Sequence, residues 1–386
     1  MKTLFPQSPY KYSPSVGVWV RKDAEDFAYS DGKEQEARLF DIVSGLKDPG
    51  LYSPEIAARM TNWPNRYHLS SARANILRPF HDRLRGATVL ELGSGCGGVT
   101  RYLGETCGKV VTVEGSSARA AIGAARCRGL GNVSIYVDNI ENFQTEEKFD
   151  VVTLIGVLEY ARVYIKADDP TGRLLEIARS FLKPDGMLVV AIENQLGLKY
   201  FCGAPEDHFG KPMYGINDCY EKHTVVTFGR EELHKRILSA GFARCDLFTP
   251  FPDYKLPALV VYPQGLSETD ANWDLATLLA GTVHLDGQPI PKPLFSLRQT
   301  WGVLARNGLV GDLANSFLFA AYPDASTPDA HADVLAAYYR PDRSRDDVRE
   351  LQFLRAESGQ LVVRSRPIGV TARISDDDWK VSEYLH

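Results

Sequence analysis

The chain has 386 residues, of which 44% are hydrophobic and 24% are charged, and its formal net charge is −5 at pH 7. This composition is typical of a globular protein and excludes a disordered chain. The acidic balance lacks the basic footprint by which proteins bind nucleic acids or anionic membranes. Prolines interrupt the first ten residues, and no apolar run is long enough to span a bilayer. We therefore expect a cytoplasmic protein with no integral membrane segment and no nucleic-acid partner.

The order of the predicted elements divides the chain into three parts. Residues 1–80 contain an apolar alternation at Val16–Val20 and a helix over about 33–46, which predict a helical cap or lid. Residues 81–264 alternate strands with helices. Residues 265–386 predict an α+β extension with helices near 272–283 and 297–307, a strand near 315–322 and a hairpin around 351–366. The last residues carry no capping or tail signal, so we expect the chain to be part of a longer polypeptide.

The middle part predicts a Rossmann-like α/β fold with helices on both faces of a mostly parallel sheet. The predicted strands are 88–92, 109–113, 132–137, 149–154, 186–192, 243–249 and 258–263. The predicted helices are 98–105, 116–127, 171–182 and 230–240, with a weaker one within 140–147. The last two strands are joined by a connection too short for a parallel crossover, so they must form an antiparallel hairpin. We expect seven strands with an antiparallel last strand.

A glycine-rich turn follows the first of these strands. Residues 88–98 read TVLELGSGCGG. Glycine allows close approach of a ligand to the backbone, and the following helix offers unpaired N–H groups. Gly93, Gly95 and Gly98 fit the dinucleotide pattern G-x-G-x-x-G, whereas Glu91, Gly93, Gly95 and Gly97 fit the E-x-G-x-G-x-G pattern of S-adenosylmethionine (SAM) enzymes. The turn, including Ser94, predicts a nucleotide-like cofactor without identifying it.

Three further groups of residues follow strands at the same carboxyl edge. Glu114, followed by Gly115, ends the second strand 21 positions after Gly93, where a carboxylate can accept hydrogen bonds from ribose hydroxyls. Asp138 ends the third strand and can bind an adenine amino group, with Asn139 and Ile140 beside the ring; helix capping is its structural alternative. Gly156 follows the fourth strand. We predict cofactor contacts for all of these residues.

The motifs ELGSGCG, VEG, VDNIENF, FDVVTLIGVLEY and LKPDGMLVVAIEN stand in this order over residues 86–264. Together they resemble class I SAM-dependent methyltransferases. The segments YHLSSARANILRP (67–79) and IENQLGLKYFCGAPEDH (192–208) are similar to a bacterial subgroup associated with surface-polysaccharide (O-antigen or capsule) biosynthesis. The resemblance implies the seven-stranded methyltransferase sheet, SAM as cofactor with S-adenosylhomocysteine (SAH) as product, and a glycan acceptor. It also implies fusion to, or a complex with, glycan-assembly enzymes.

Methyl transfer needs an acceptor lone pair opposite the departing sulfur, and a sugar hydroxyl also needs a base. The loop after strand 186–192 reaches the cofactor edge, and we predict His208 as a neutral general base, oriented by Asp207 or Glu206, with Glu193 as the second candidate. Tyr214, Tyr254 and Lys255 are candidate acceptor contacts, although tyrosines in a loop also serve as packing anchors. Among Arg73, Arg78 and Arg101 we select Arg73 to bind the methionine carboxylate.

Two other classes of function remain open from the sequence. One is an NAD-dependent sugar oxidoreductase or epimerase, against which stand the antiparallel hairpin and the lack of a Tyr-x-x-x-Lys pair in the expected region. The other is a non-catalytic scaffold module of a glycan-assembly protein. The six cysteines form no C-x-x-C pair, so we expect reduced thiols. Cys202, His208, Cys219 and His223 match no structural zinc spacing closely, and we predict no metal.

Overall fold

A computed structural model of the chain describes residues 9–23, 32–270, 272–328, 331–340, 343–369, 374 and 378–383. Its strands are β1 Tyr10–Ser13, β2 Val18–Arg21, β3 Thr88–Leu92, β4 Lys109–Glu114, β5 Val133–Val137, β6 Phe149–Ile155, β7 Leu182–Glu193, β8 Arg244–Phe251, β9 Leu259–Val261, β10 Ser316–Tyr322, β11 Val334–Tyr339, β12 Arg349–Arg355, β13 Leu361–Pro367 and β14 Lys380–Glu383.

The helices follow the predicted pattern in the middle part of the chain. The α-helices are Lys33–Gly45, Pro54–Ala57, Trp63–Leu69, His81–Leu84, Gly98–Thr106, Ser117–Arg126, Ala161–Tyr164, Pro170–Ser180, Leu198–Phe201, Arg230–Ser239, Pro263–Ser267, Leu275–Thr282, Leu297–Arg306 and Val310–Leu313. Short 3₁₀ segments cover Ser71–Ile76, Arg78–Phe80, Leu158–Tyr160 and Val283–Leu285. The helix predicted within 140–147 does not form: this short polar segment is a turn and an irregular stretch. Within the described ranges, no helix combines the length and apolar character needed to cross a membrane.

The centre of the sheet is parallel, in the order β5-β4-β3-β6-β7. The chain runs outward from β3 in both directions, so the order reverses between β3 and β6. In such sheets the crevice beyond the carboxyl ends of the strands, beside this reversal, is where ligands bind. The Rossmann-like fold with a parallel core and antiparallel later strands is therefore confirmed, and its topology indicates one edge for the site.

The antiparallel part of the sheet is larger than predicted, because five strands of the C-terminal extension, β10 to β14, join it. β8 and β9 form the expected antiparallel hairpin. However, β8 does not lie beside β7: β10, from the C-terminal extension, lies between them and is antiparallel to both. The predicted domain boundary at residue 264 thus separates strands that belong to the same sheet. Sequence spacing alone could not show this insertion, because β10 follows β8 by more than 60 residues.

The N-terminal part also joins the sheet. β1 and β2 form an antiparallel hairpin, and β2 pairs in parallel with β5 through Trp19 and Tyr136. The predicted helical cap is therefore a mixture of a β-hairpin and helices. Residues 24–31 lie outside the described part of the chain.

The central strands are buried on both faces. Val89 and Val151 pack into one apolar cluster, whereas their neighbours Leu90 and Val152 pack into the cluster on the opposite face. Because successive side chains of a strand point to opposite faces, these near-continuous apolar runs need helices on both sides. This packing fixes the strand ends, and with them the loops that carry the site.

Candidate active site

The glycine turn between β3 and helix Gly98–Thr106 is sterically restricted to glycine at two positions. Gly93 has φ +81°, and a Cβ there would lie 2.4 Å from Val157 Cγ2. Gly97 has φ +80°, and a Cβ there would lie 2.7 Å from the Gly123 Cα. Both φ values lie in the left-handed region that side-chain-bearing residues avoid. The turn therefore packs closely between β6 and helix Ser117–Arg126 while leaving its inner side open.

Two residues of the predicted cofactor motif do not line the cavity that the turn opens into. Glu91 is buried beneath the turn, where its Oε2 accepts a hydrogen bond from Thr100 Oγ1 at 2.6 Å. Burial raises the pKa of Glu91 to about 7, against the opposing effect of the Thr100 hydroxyl. Gly97 faces helix Ser117–Arg126. Glu91 and Gly97 shape the turn from outside the cavity.

Glu114 connects the end of β4 to the glycine turn. Its Oε2 accepts the Gly95 N–H at 2.7 Å, and its Oε1 accepts the Ser116 N–H at 2.9 Å. The side chain is buried and lines the cavity. A carboxylate oxygen accepts more than one hydrogen bond, so each oxygen can also accept one from a ligand hydroxyl.

Asp138 lies at the cavity, but the N-terminal hairpin holds its carboxylate. Asp138 Oδ2 accepts hydrogen bonds from the Tyr10 hydroxyl and from Arg21 Nη1, the latter at 3.1 Å. Burial raises the pKa of Asp138, opposed by the Tyr10 and Arg21 contacts. Sequence reasoning missed Tyr10 and Arg21, because they lie more than 110 residues before their partner. Asn139 and Ile140 line the cavity beside Asp138.

The cavity has a volume of about 400 Å³, within the usual range for small-molecule sites. All three parts of the chain line it: Gln35, Trp63 and Tyr67 come from the N-terminal part and Gln288 from the C-terminal extension. Of the predicted site residues, the structure brings together Arg73, Gly93, Ser94, Gly95, Glu114, Gly115, Asp138, Asn139, Ile140, Gly156, Glu193, Asp207, His208, Tyr254 and Lys255. Three of the predicted residues, Glu91, Gly97 and Tyr214, do not line it.

Arg73 is the one of the three candidate arginines that lines the cavity. Its Nη1 donates to the Lys255 carbonyl at 3.0 Å, and its guanidinium lies 4.5 Å from the centre of the Tyr67 ring. Arg78 instead donates to Asn75 and Tyr52 in the core, and Arg101 pairs with Glu105.

An acid–base cluster also lines the cavity. It consists of Glu159, Glu193 and His208, each of which offers a carboxylate oxygen or ring nitrogen within 4.8 Å of the others. Sequence reasoning missed Glu159. Glu159 could have been found from its position, because it follows the fourth predicted strand, in the sequence Leu-Glu-Tyr, at the carboxyl edge of the sheet. Burial raises the pKa of Glu159 to about 8, reinforced by the charge of Glu193 and opposed by His208.

His208 is oriented by Glu206 and not by Asp207. The His208 Nδ1 lies 3.0 Å from Glu206 Oε1, and the His208 and Phe209 N–H groups both donate to Glu206 Oε2 at 2.8 Å. Burial lowers the pKa of His208, but the Glu206 hydrogen bond and the charges of Glu193 and Glu159 outweigh it and raise the pKa to about 9. The ring is therefore protonated at neutral pH, unlike the neutral base that the sequence predicts.

Asp207 belongs to a buried ion-pair network with two lysines. It accepts hydrogen bonds from Tyr200 at 2.5 Å and Lys255 at 3.0 Å, and it lies 2.8 Å from Lys199. Asp253 lies 3.0 Å from the same Lys199. The lysine charges lower the pKa of Asp207 against the effect of burial. Because all these partners contact its carboxylate, Asp207 stabilises the loop.

Tyr254 and Lys255 reach Glu193 from the β8–β9 connection. Lys255 Nζ lies 2.6 Å from Glu193 Oε1, and the Tyr254 hydroxyl donates to the same oxygen at 3.3 Å. Both residues are buried beside the cluster. Tyr214 stacks on Phe209, with ring centres 4.3 Å apart, outside the cavity. It is a packing anchor of the loop, the alternative that the sequence left open.

The cysteines and histidines that we considered as a zinc site do not lie close together. Among the residues that the structure describes, the group with metal-binding spacing contains His208 but none of Cys202, Cys219 and His223. None of the six cysteines, all of which the structure describes, forms a disulfide bond.

The family model of a methyltransferase domain matches residues 90–188. Solved structures that resemble the chain include DhpI in complex with SAH (21% identity, 57% of this chain and 92% of that chain, TM-score 0.36). Another is a SAM-dependent methyltransferase from Thermotoga maritima, described as a possible histamine N-methyltransferase (19% identity, 65% of this chain and 89% of that chain, TM-score 0.36). A third is the N-methyltransferase NodS from Bradyrhizobium japonicum with SAH (16% identity, 53% of this chain and 85% of that chain, TM-score 0.34). No curated protein matches the chain.

The matched segment runs from β3 into β7 and carries the glycine turn, Glu114, Asp138 and Glu159. It thereby coincides with the strand ends that line the cavity. The match favours methyl transfer over the NAD-dependent alternative. The chain thus contains a methyltransferase domain over residues 90–188, the segment that builds the glycine turn and the strand ends around the cavity.

Proposed function

We propose that the enzyme transfers the methyl group of SAM to a hydroxyl of a saccharide or glycan intermediate. The observation that carries the proposal is the convergence of Glu159, Glu193 and His208 in the cavity. Carboxylates accept hydrogen bonds from hydroxyl groups and can take up their protons, whereas an imidazolium donates a hydrogen bond to a hydroxyl oxygen. We further propose that the enzyme works in the cytoplasm, fused to or beside glycan-assembly enzymes.

The cofactor is proposed to lie along the glycine turn in the cavity. Glu114 would bind the ribose hydroxyls, and Asn139 and Ile140 would flank the adenine. The open inner side of the glycine turn would accept the methionine moiety, with Arg73 near its carboxylate. Asp138 would bind the adenine amino group through Oδ1, because Tyr10 and Arg21 both hold its Oδ2.

Replacing Glu114 by alanine is expected to weaken SAH binding by 10-fold or more. The change removes two charge-assisted hydrogen bonds to the ribose, each of which contributes about 1.5–3 kcal/mol. It also frees the Gly95 N–H from its carboxylate partner. Calorimetric titration with SAH measures the effect. The control is Glu141→Ala, a half-buried glutamate outside the cavity lining. Unchanged affinity in Glu114→Ala would place the ribose elsewhere.

The transfer is an in-line displacement. The carbon–sulfur bond breaks with its electron pair on sulfur, the bond to the acceptor oxygen forms, and the hydroxyl proton passes to a carboxylate of the cluster. We propose Glu193 as that carboxylate. Its Oε1 is held by Lys255 and Tyr254, whereas its buried Oε2 has no partner and is free to receive the proton. His208 would then bind the acceptor oxygen.

Aromatic side chains support a saccharide as the acceptor. Trp63, Tyr67 and Tyr160 line the cavity, and Tyr160 meets the His208 ring edge-on at 5.5 Å between ring centres. Sugar rings present apolar C–H faces between their hydroxyls, so a site with aromatic faces and convergent carboxylates complements both.

Incubation with methyl-labelled SAM and a panel of acceptors tests this proposal. The panel contains nucleotide sugars and lipid-linked glycans, together with amine and thiol compounds of similar size. We expect mass spectrometry to find the label in an O-methyl ether of a saccharide. Labelling of an amine or thiol but of no hydroxyl compound would overturn the proposed acceptor. A chain that binds SAH but methylates nothing in the panel would support the scaffold alternative.

A further inference from the structure

We infer that Glu159, Glu193 and His208 form a binding site for a divalent cation. The three residues come from separate parts of the fold: Glu159 follows β6, Glu193 ends β7, and His208 lies in the loop after helix Leu198–Phe201. Their nearest ligand atoms lie within 4.8 Å of one another. Two carboxylate oxygens and one imidazole nitrogen are a ligand set that binds divalent transition metals. The inference does not depend on which acceptor is methylated, but a bound cation would replace the protons of the cluster, so the proton-accepting role proposed for Glu193 belongs to the metal-free cluster.

Two carboxylate oxygens of this cluster have no protein partner. Glu159 Oε2 and Glu193 Oε2 are both buried without a hydrogen bond, and each side chain is about 1% exposed. Leaving a buried charged oxygen unsatisfied costs free energy, and native proteins rarely retain such atoms without a function. Both residues line the cavity. A cation bound between these oxygens would give both of them a partner.

The charge around the cluster favours a cation. The buried or half-buried acidic groups here are Glu159, Glu193, Glu206, Asp207 and Asp253, and the lysines paired with them are Lys199 and Lys255. Five carboxyl groups stand against two ammonium groups, so negative charge remains in excess by one even when Glu159 and His208 are both protonated. A divalent cation would reduce this excess where it is greatest.

Outer contacts already orient each ligand atom. Glu206 holds the Nδ1 side of His208, which leaves Nε2 as the free nitrogen. Lys255 and Tyr254 hold Glu193 Oε1, which leaves Oε2 free. A carboxylate on the second nitrogen of a ligating histidine is the usual support in metal sites, because it fixes the orientation of the ring.

Ligand atoms that bind one metal ion at about 2.0–2.2 Å lie roughly 3–4.4 Å apart. The ligand atoms of the cluster lie within 4.8 Å of one another, and a bound cation would draw them into that range. Three protein ligands leave further positions open toward the cavity, as in catalytic metal sites. The nitrogen ligand favours Mn²⁺, Fe²⁺ or Zn²⁺ over Ca²⁺. An acceptor hydroxyl could occupy an open position.

Binding of Mn²⁺ to the full chain tests the inference, with electron paramagnetic resonance and calorimetric titration as readouts. We expect one Mn²⁺ per chain in the wild type and a loss of affinity of at least 10-fold in Glu159→Gln and in His208→Ala. Two exposed residues of the neighbouring loop give matched controls, Glu221→Gln and His223→Ala, which should bind Mn²⁺ like the wild type. SAH titration of every variant shows that the cofactor side is intact.

Two results would overturn the inference: no saturable binding of Mn²⁺ or Zn²⁺ by the wild type, or undiminished binding in both cluster variants. Full methyl transfer in chelator-treated enzyme with no bound metal would show that the cluster works as a metal-free acid–base group. That result leaves the proposed hydroxyl methylation standing, so the two proposals can fail separately.

Discussion

Glu193→Gln is expected to lower the turnover of methyl transfer by about 10²–10⁴-fold while the SAH affinity stays within about threefold of the wild type. General-base catalysis contributes rate enhancements of this size, and a neutral amide cannot take up the hydroxyl proton. The change is nearly isosteric, and Lys255 keeps Asp207 at 3.0 Å and Asp253 at 3.7 Å as ion partners.

The measurement is turnover with the hydroxyl acceptor that the labelled-SAM panel identifies, together with SAH titration. Glu193→Asp keeps a carboxylate and should recover part of the lost activity. Glu232→Gln, an exposed glutamate on helix Arg230–Ser239, is the matched control and should behave as the wild type. If Glu193→Gln turns over at the wild-type rate, the proton leaves by another route, and the role that we propose for Glu193 is wrong.

The residues that line the cavity at the strand ends could be predicted because their information is local. Gly93, Gly95, Glu114 and Asp138 each follow a strand whose apolar run is readable, and the carboxyl ends of parallel strands share one edge of the sheet. Their steric requirements are also local: the φ values of Gly93 and Gly95 exclude most side chains. The strand ends therefore follow from sequence pattern together with sheet topology.

The partners of those residues could not be predicted, because they arise from contacts between distant segments. Tyr10 and Arg21 hold Asp138 only because β2 pairs with β5. Likewise, Glu206 and Asp207 are adjacent in sequence, and only the loop conformation decides which carboxylate meets the His208 ring. The same contact, with the charges of Glu193 and Glu159, changes the expected protonation of His208.

The largest difference between sequence and structure is the place of β10. Its apolar run was readable as a strand near 315–322, but the pattern does not say with which strands it pairs. The residue before β10 and the first residue of β10 hold the backbone of two residues beside the cluster. The Asn315 Oδ1 accepts the Lys199 N–H at 3.0 Å, and the Ser316 hydroxyl accepts the Tyr254 N–H at 2.8 Å.

A chain that ends at residue 264 is therefore expected to be insoluble or to lose cooperative unfolding and SAH binding. It would lack β10, whose seven residues are all buried between β7 and β8. Burial of Phe317, Leu318 and Phe319 alone contributes about 1.5–3 kcal/mol per side chain, or about 5–9 kcal/mol together. That sum is comparable with the whole stability of a typical domain, about 5–15 kcal/mol. Two strands would also expose unpaired edges.

A point variant separates loss of β10 from loss of the rest of the extension. Phe319→Asp places a charge at a fully buried position of β10 in the full chain and should cause the same failure. Val381→Asp, in β14 at a position 68% exposed, is the control and should leave thermal unfolding and SAH affinity unchanged. A soluble monomer of residues 1–264 that binds SAH like the full chain would contradict the expectation. Because β10 lies between β7, which ends in Glu193, and β8, which leads to Lys255, its removal should abolish methyl transfer even where some fold survives.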